Sequence, residues 1–147
     1  MTTVRHLLTH KPAEVWSVAS DSTVREALKL MFDRDIGVVV VKDQDRIRGI
    51  FSERDFSRRV AQNEQLSLDT PVSEMMTSAV ISVQPDQFMD ECMAIMTEKH
   101  IRHLPVLDGD KLIGLISIGD LVREIVSQKD TTIRTLENYI MGREFAS

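Results

Sequence analysis

Residues 114–120 read GLISIGD, and residues 49–55 read GIFSERD. Each stretch places a Gly, a Ser three positions on and an Asp three further, so Gly49, Ser52 and Asp55 stand 65 residues before Gly114, Ser117 and Asp120. The same 65-residue offset holds upstream without a gap: Val15, Asp21, Glu26, Met31, Ile36 and Val41 meet Val80, Asp86, Glu91, Met96, Ile101 and Val106. Arg58 meets Arg123 just past the frame. A fixed offset over most of a chain marks an internal duplication. The copies span 15–61 and 80–127, joined by a polar linker at 62–79 that carries Pro71.

Both copies read as β-α-β-β-α. A short extended piece, Trp16–Ala19 or Ile81–Val83, leads into a helix. In the first copy Thr23 and Glu26 make a T-x-x-E capping box, and Val24, Ala27, Leu28 and Met31 follow at helical spacing. The helices stop near Arg34 and Lys99. The next strands, IGVVVV and HLPVL, are almost continuously apolar, which predicts burial on both faces. Asp-Gln-Asp and Asp-Gly-Asp turn each strand back into a partner. Ser52 and Ser117 then open a second amphipathic helix. The fold class is therefore mixed α/β (α+β), with two units related by a pseudo-twofold axis and sharing one core, because one unit alone is too small for a good one. Val4, Leu7 and Leu8 predict a short helix within 1–14. Ile133, Leu136 and Ile140 predict another within 128–147, stopped by Gly142.

Composition narrows the function. The chain has 147 residues, 42% hydrophobic and 28% charged, as in ordinary globular domains. A net charge of −5 argues against non-specific binding to nucleic acid or to an anionic membrane. No run is long and apolar enough to span a bilayer, and the first residues lack a signal-peptide core, so a cytoplasmic location is expected. Cys92 is the single cysteine, read as an inert core thiol. The four histidines show no metal-ligand spacing with carboxylates or Cys, so no metal site is expected. Signatures of P-loop, Rossmann, serine-hydrolase and zinc-protease sites are missing, so no enzymatic activity is expected.

The Ser-x-x-Asp frame at a strand-to-helix junction has a structural reading as a helix cap. It also suits a ligand. A helix N-terminus favours phosphate, a Ser hydroxyl adds one hydrogen bond, and an Asp carboxylate accepts from paired ribose hydroxyls. The Gly lets a ligand approach the backbone. Capping and ligation can coexist.

With two such frames in register, the chain resembles the tandem CBS (cystathionine β-synthase) domain pair, or Bateman module. Residues 102–122, RHLPVLDGDKLIGLISIGDLV, are close to the family pattern, and residues 37–56, GVVVVKDQDRIRGIFSERDF, match more loosely, with Val40 where Pro is common. The segment LENYIMG is similar to the tails of small stand-alone bacterial members. The resemblance implies adenine nucleotides held in two clefts between the repeats: AMP or NAD(H), with ATP or S-adenosylmethionine as further candidates. It implies Ser52 and Asp55 at one cleft and Ser117 and Asp120 at the other. Ile101, Arg102 and His103 would line the wall opposite Asp55, with Arg54 a further phosphate contact. Ile36, Gly37 and Val38 would line the wall opposite Asp120. That wall is uncharged, so the Asp55 cleft is expected to bind more tightly. Val18 and Val80 are candidates for backbone contacts to adenine. The resemblance further implies a homodimer and a regulated partner protein. The competing reading is a protein-interaction or dimerisation module with vestigial clefts.

Overall fold

The computed structural model describes residues 1–12, 14–62 and 65–140. A short helix, α1 (Val4–Leu8), precedes the first unit, which runs β1 (Ser17–Val18), α2 (Val24–Arg34), β2 (Val38–Asp43), β3 (Arg46–Ser52) and α3 (Glu53–Gln62). A 3-10 turn at Val72–Glu74 follows. The second unit contains α4 (Met89–Lys99), β4 (His103–Asp108), β5 (Lys111–Ser117) and α5 (Ile118–Ile140). The duplication read from the sequence is a duplication of structure. The hairpins share a register, Val38 opposite Ser52 and His103 opposite Ser117. Each carries one bulge, at Val41/Lys42 and at Val106/Leu107. The left-handed residues also pair between copies: Asp35 with His100 as helix C-caps, and Gln44 with Gly109 in the hairpin turns.

Local chemistry explains the starts. Thr23 Oγ1 accepts the Glu26 amide at 3.1 Å and begins α2. In α4 the other half of a capping box is used: Glu91 Oε1 accepts the Phe88 amide at 3.3 Å. One copy keeps the hydroxyl half and the other the carboxylate half.

The extended piece expected at Ile81–Val83 is reduced to a single parallel bridge, Val83 to Val106. The cause is Pro105. In the first unit the Val40 amide donates to Trp16 O at 3.1 Å, which lengthens β1 against β2. Pro105 occupies the matching position, 65 residues on, and has no N–H to donate.

The expected single core is two cores. Val24, Ala27, Met31, Val39, Val41 and Phe51 form one, and Val83, Cys92, Met96, Leu104, Val106 and Ile116 the other. Each is completed from outside its own unit. Val72 and Met75 close the first core, while Val4 and Leu7 of α1 close the second. The frame glycines make room for this. A Cβ on Gly49 would sit 2.6 Å from Met76 Sδ and 2.7 Å from Thr77 O, and one on Gly114 would sit 2.6 Å from Leu8 Cδ2. The close approach expected of a ligand is thus made by the chain itself. Val38 and Val40 point to the opposite face of β2 from Val39 and Val41, yet all four are buried. Val38 lines both clefts, and β3 touches β5.

The C-terminal helix is a continuation of α5 rather than a separate element. No Gly or Pro interrupts residues 120–140, and Thr131 and Thr132 hydroxyls bond back to Ser127 O and Gln128 O. Gly142, the expected stop, lies outside the described residues.

Candidate functional site

Each frame closes on itself at the junction of strand and helix. The Ser52 amide donates to Asp55 Oδ2 at 2.9 Å, and the Asp55 amide donates to Ser52 Oγ at 3.1 Å. Ser117 and Asp120 repeat this at 2.8 and 3.2 Å. The capping reading is correct for both copies. It places each carboxylate at the start of a helix, where the amide dipoles favour anions.

Beside Asp55 lies a cleft of about 620 Å³. It gathers Ser52, Arg54 and Asp55 from the first unit and Val80, Ile101, Arg102 and His103 from the second, and Gly37 and Val38, expected only opposite Asp120, line it too. Four further groups that the resemblance did not assign to a cleft also line it: Arg58, Thr77, Lys99 and His100. Thr77 arrives because its backbone pairs with Ile50 on the edge of β3, and its hydroxyl donates to Asp55 Oδ1 at 3.4 Å. Asp55 forms no ion pair among the described residues, and that long contact leaves Oδ1 with open acceptor capacity.

The second cleft, about 720 Å³, is lined by Ser117, Asp120, Ile36, Gly37, Val38 and His103. Its electrostatics differ. Lys11 Nζ lies 2.7 Å from Asp120 Oδ2 and also donates to Leu115 O at 2.6 Å. Arg123 pairs with Asp120 Oδ1. Asp120 is 8% exposed. Burial opposes its charge, but Lys11 and the Ser117 hydrogen bonds win and hold its pKa below the usual carboxylate value. Ile36, Gly37 and Val38 carry no charge, but Glu14 and Asp35 line the same cleft, and two cations, Lys11 from the segment after α1 and Arg123 from α5, already occupy the carboxylate. Repeat symmetry gave Arg123 as the match of Arg58. Nothing local marks Lys11.

His103 lines both clefts. Burial lowers its pKa first, Lys11 and Arg102 lower it further, and Asp120 opposes them. A lowered imidazole pKa means that the unfolded chain takes up the proton before the folded one does. Stability therefore falls as the pH drops below the unfolded value of about 6.5 towards the folded pKa. Thermal unfolding at pH 7.5 and pH 5.5 is expected to show this loss in the parent and a smaller one in His103→Gln. Equal losses in both would discard the assignment.

Val18 lines neither cleft. It lies in β1 against the first core, whereas Val15, which matches Val80 in the repeat, lines the second cleft. Trp16 lines that cleft too, with the Arg34 guanidinium 4.1 Å from its ring centre. Cys92 is fully buried, and desolvation with the nearby Glu91 pushes its thiol up to about 11, as fits an inert core residue. The expectation about histidine spacing needs correction: His6 and His10 meet Glu124, which α5 brings from the far end of the sequence. Among the described residues no helix is long and apolar enough to cross a membrane.

Comparison with known proteins agrees with this architecture. The CBS domain model matches residues 4–62 and 72–127. The chain is 37% identical over 128 residues to the mitochondrial CBS domain-containing protein CBSX3 of Arabidopsis thaliana, covering 84% of this chain and 62% of that protein. It thus spans less than two thirds of that relative's length. A CBS-domain protein from Burkholderia ambifaria superposes with a TM-score of 0.82 at 50% identity, covering 86% of this chain and 95% of that one. The CBS domain pair of protein MJ0100, solved with 5′-methylthioadenosine and S-adenosyl-L-methionine, gives 0.76 at 25% identity, covering 87% and 98%. A repeat in register, two units that share the α-β-β-α order with matching hairpins, and a family match over most of its length establish that the chain belongs to the CBS domain family.

Proposed function

We propose that the chain is a regulatory, non-catalytic module that binds an adenine nucleotide, AMP or NAD(H), preferentially in the cleft at Asp55. One observation carries this reading. The Asp55 cleft joins a carboxylate with an open acceptor to the positive end of α3 and to four basic lining residues, Arg54, Arg58, Lys99 and Arg102, against one further acidic one, Glu53. A ribose diol and a phosphate need these two kinds of partner side by side. The volume lies within the usual range for small-ligand sites, roughly 300–1,000 Å³. The adenosine-derived ligands of the MJ0100 pair support the same ligand class and keep ATP and S-adenosylmethionine as candidates. At the Asp120 cleft a ribose would first have to displace Lys11.

Binding would regulate by favouring one arrangement of the two units over another, since a ligand shifts an equilibrium only by its differential affinity. The nucleotide pools read in this way are those of the cytoplasm, and the state would pass to a partner protein. The test is calorimetric titration of ligand-free protein with AMP, ATP, NAD, NADH and S-adenosylmethionine, with adenosine as control. Arg102→Ala is expected to weaken AMP about tenfold while leaving adenosine nearly unchanged, as for loss of one charged hydrogen bond. Equal weakening of both would remove Arg102 from the phosphate site. No saturable binding would favour an interaction module instead.

The apolar stripe of α5 supports a homodimer. Val122, Val126, Ile133, Leu136 and Ile140 are all exposed and recur at helical spacing. Sedimentation of Ile133→Glu/Leu136→Glu is expected to give a monomer where the parent gives a dimer. A double variant that still sediments as a dimer would clear the distal half of α5 of that role.

A further inference from the structure

Away from both clefts, α1 and α5 bring three metal-binding side chains together. His6 lies in α1 and His10 in the turn that follows, four positions on, so the helical path sets the two imidazoles on one side. Glu124 comes from α5, one helical turn beyond Asp120. His6 Nε2 and His10 Nε2 are 3.4 Å apart, and Glu124 Oε1 is 3.7 Å from His6 Nε2. All three ligand atoms lie within 4.8 Å of one another.

The spacing is informative. A tetrahedral zinc ion holds its nitrogen and oxygen ligands at roughly 2.0–2.2 Å, which makes the edges between ligand atoms about 3.3–3.6 Å. The His–His edge already has that length, and the His6–Glu124 edge is close to it. Without an ion, the two imidazoles can share only one N–H···N contact across that gap. A divalent cation would use both nitrogen lone pairs and the carboxylate together. The carboxylate oxygen that faces His6 is also held by a neighbour on its own helix. Gln128 Nε2 donates to Glu124 Oε1 at 3.1 Å and to Thr2 Oγ1 at 2.6 Å. Outer hydrogen bonds of this kind orient metal ligands. The Glu124 side chain is 16% exposed and His6 52%, so the carboxylate is fixed between the helices and the histidines face solvent, where an ion can enter.

We propose that His6, His10 and Glu124 form a site for a divalent transition metal of the zinc class, with a fourth position open to water. The ion would pin α1 to α5. Lys11, the residue after His10, pairs with Asp120, so the same clamp would hold the ion pair at the second cleft in place.

The test uses the untagged full chain, stripped with a chelator and titrated without nucleotide, first with Co²⁺ and then with Zn²⁺. The expected result is one Co²⁺ per chain, with the intense visible bands of a low-coordinate site, displaced by Zn²⁺. Affinity should fall about tenfold or more in His10→Ala and in Glu124→Gln. Zn²⁺ should raise the melting temperature of the parent and not of His10→Ala, which melts with the parent when metal is absent because His10 is exposed. Absence of stoichiometric binding would overturn the proposal. So would binding of equal strength in the parent and both variants.

Discussion

Asp55→Ala is expected to lower the affinity for AMP by about 10- to 150-fold, the effect of removing a charged hydrogen-bond acceptor worth roughly 1.5–3 kcal/mol. The argument rests on the unequal state of the two frame carboxylates. In Asp55, Oδ2 takes the Ser52 amide and hydroxyl, while Oδ1 has only the long Thr77 contact. In Asp120, Oδ2 takes the Ser117 amide and Lys11, and Oδ1 takes Arg123. A ribose hydroxyl can add to the first without breaking anything; at the second it must compete with a cation. Asp120→Ala is therefore expected to change AMP affinity less than Asp55→Ala does. Titration calorimetry on both variants decides it. A near-normal affinity in Asp55→Ala, with loss in Asp120→Ala, would reverse the assignment. Asp55 also caps α3, so its variant should lose about 0.5–2 kcal/mol of stability. Melting curves must accompany the binding data to show that the protein is folded.

Phe51→Ala is expected to cost about 3–5 kcal/mol of folding stability. Phe51 is fully buried on β3 and packs in the first core with Val39 and Val41 from β2, Met31 from α2, and Val72 and Met75 from beyond α3. Truncation leaves a cavity lined by three separate segments, β2, α2 and the stretch holding Val72 and Met75, which cannot all move in together. Since domains of this size are stable by only about 5–15 kcal/mol, the variant should be marginal. Urea unfolding would show a lower midpoint at an unchanged slope. A loss below about 1 kcal/mol would mean that the segment at Val72 and Met75 collapses into the space, so that its packing there is loose.

Much of this protein is written locally. The 65-residue repeat, the helix starts at Thr23 and after Ser52 and Ser117, the apolar strands and the turn signals all lie within a few residues of what they cause. A cap or a turn depends on the dihedral angles and hydrogen bonds of neighbours, so a reader of the sequence can find it. The repeat extends that reach, because what holds for one copy transfers to the other, as it does for the Ser and Asp of the two frames. Transfer fails where the copies differ by one atom group, as at Pro105, whose missing N–H removed a strand bond that Val40 makes.

The tertiary structure alone decided which groups surround those carboxylates. Lys11 reaches Asp120 and Leu115 across almost the whole sequence, Thr77 reaches Asp55 by pairing with an edge strand, and Glu124 reaches His6 and His10 through helix packing. These contacts carry no periodicity and no motif. They follow from the crossing of segments between units, α1 onto the second core and Val72 onto the first, which is driven by burial of apolar surface and has no directional signature in the chain. The sequence determined the two frames and the elements that hold them. Long-range packing determined that one carboxylate stays open and the other is neutralised, because charge pairing is a property of distance in space.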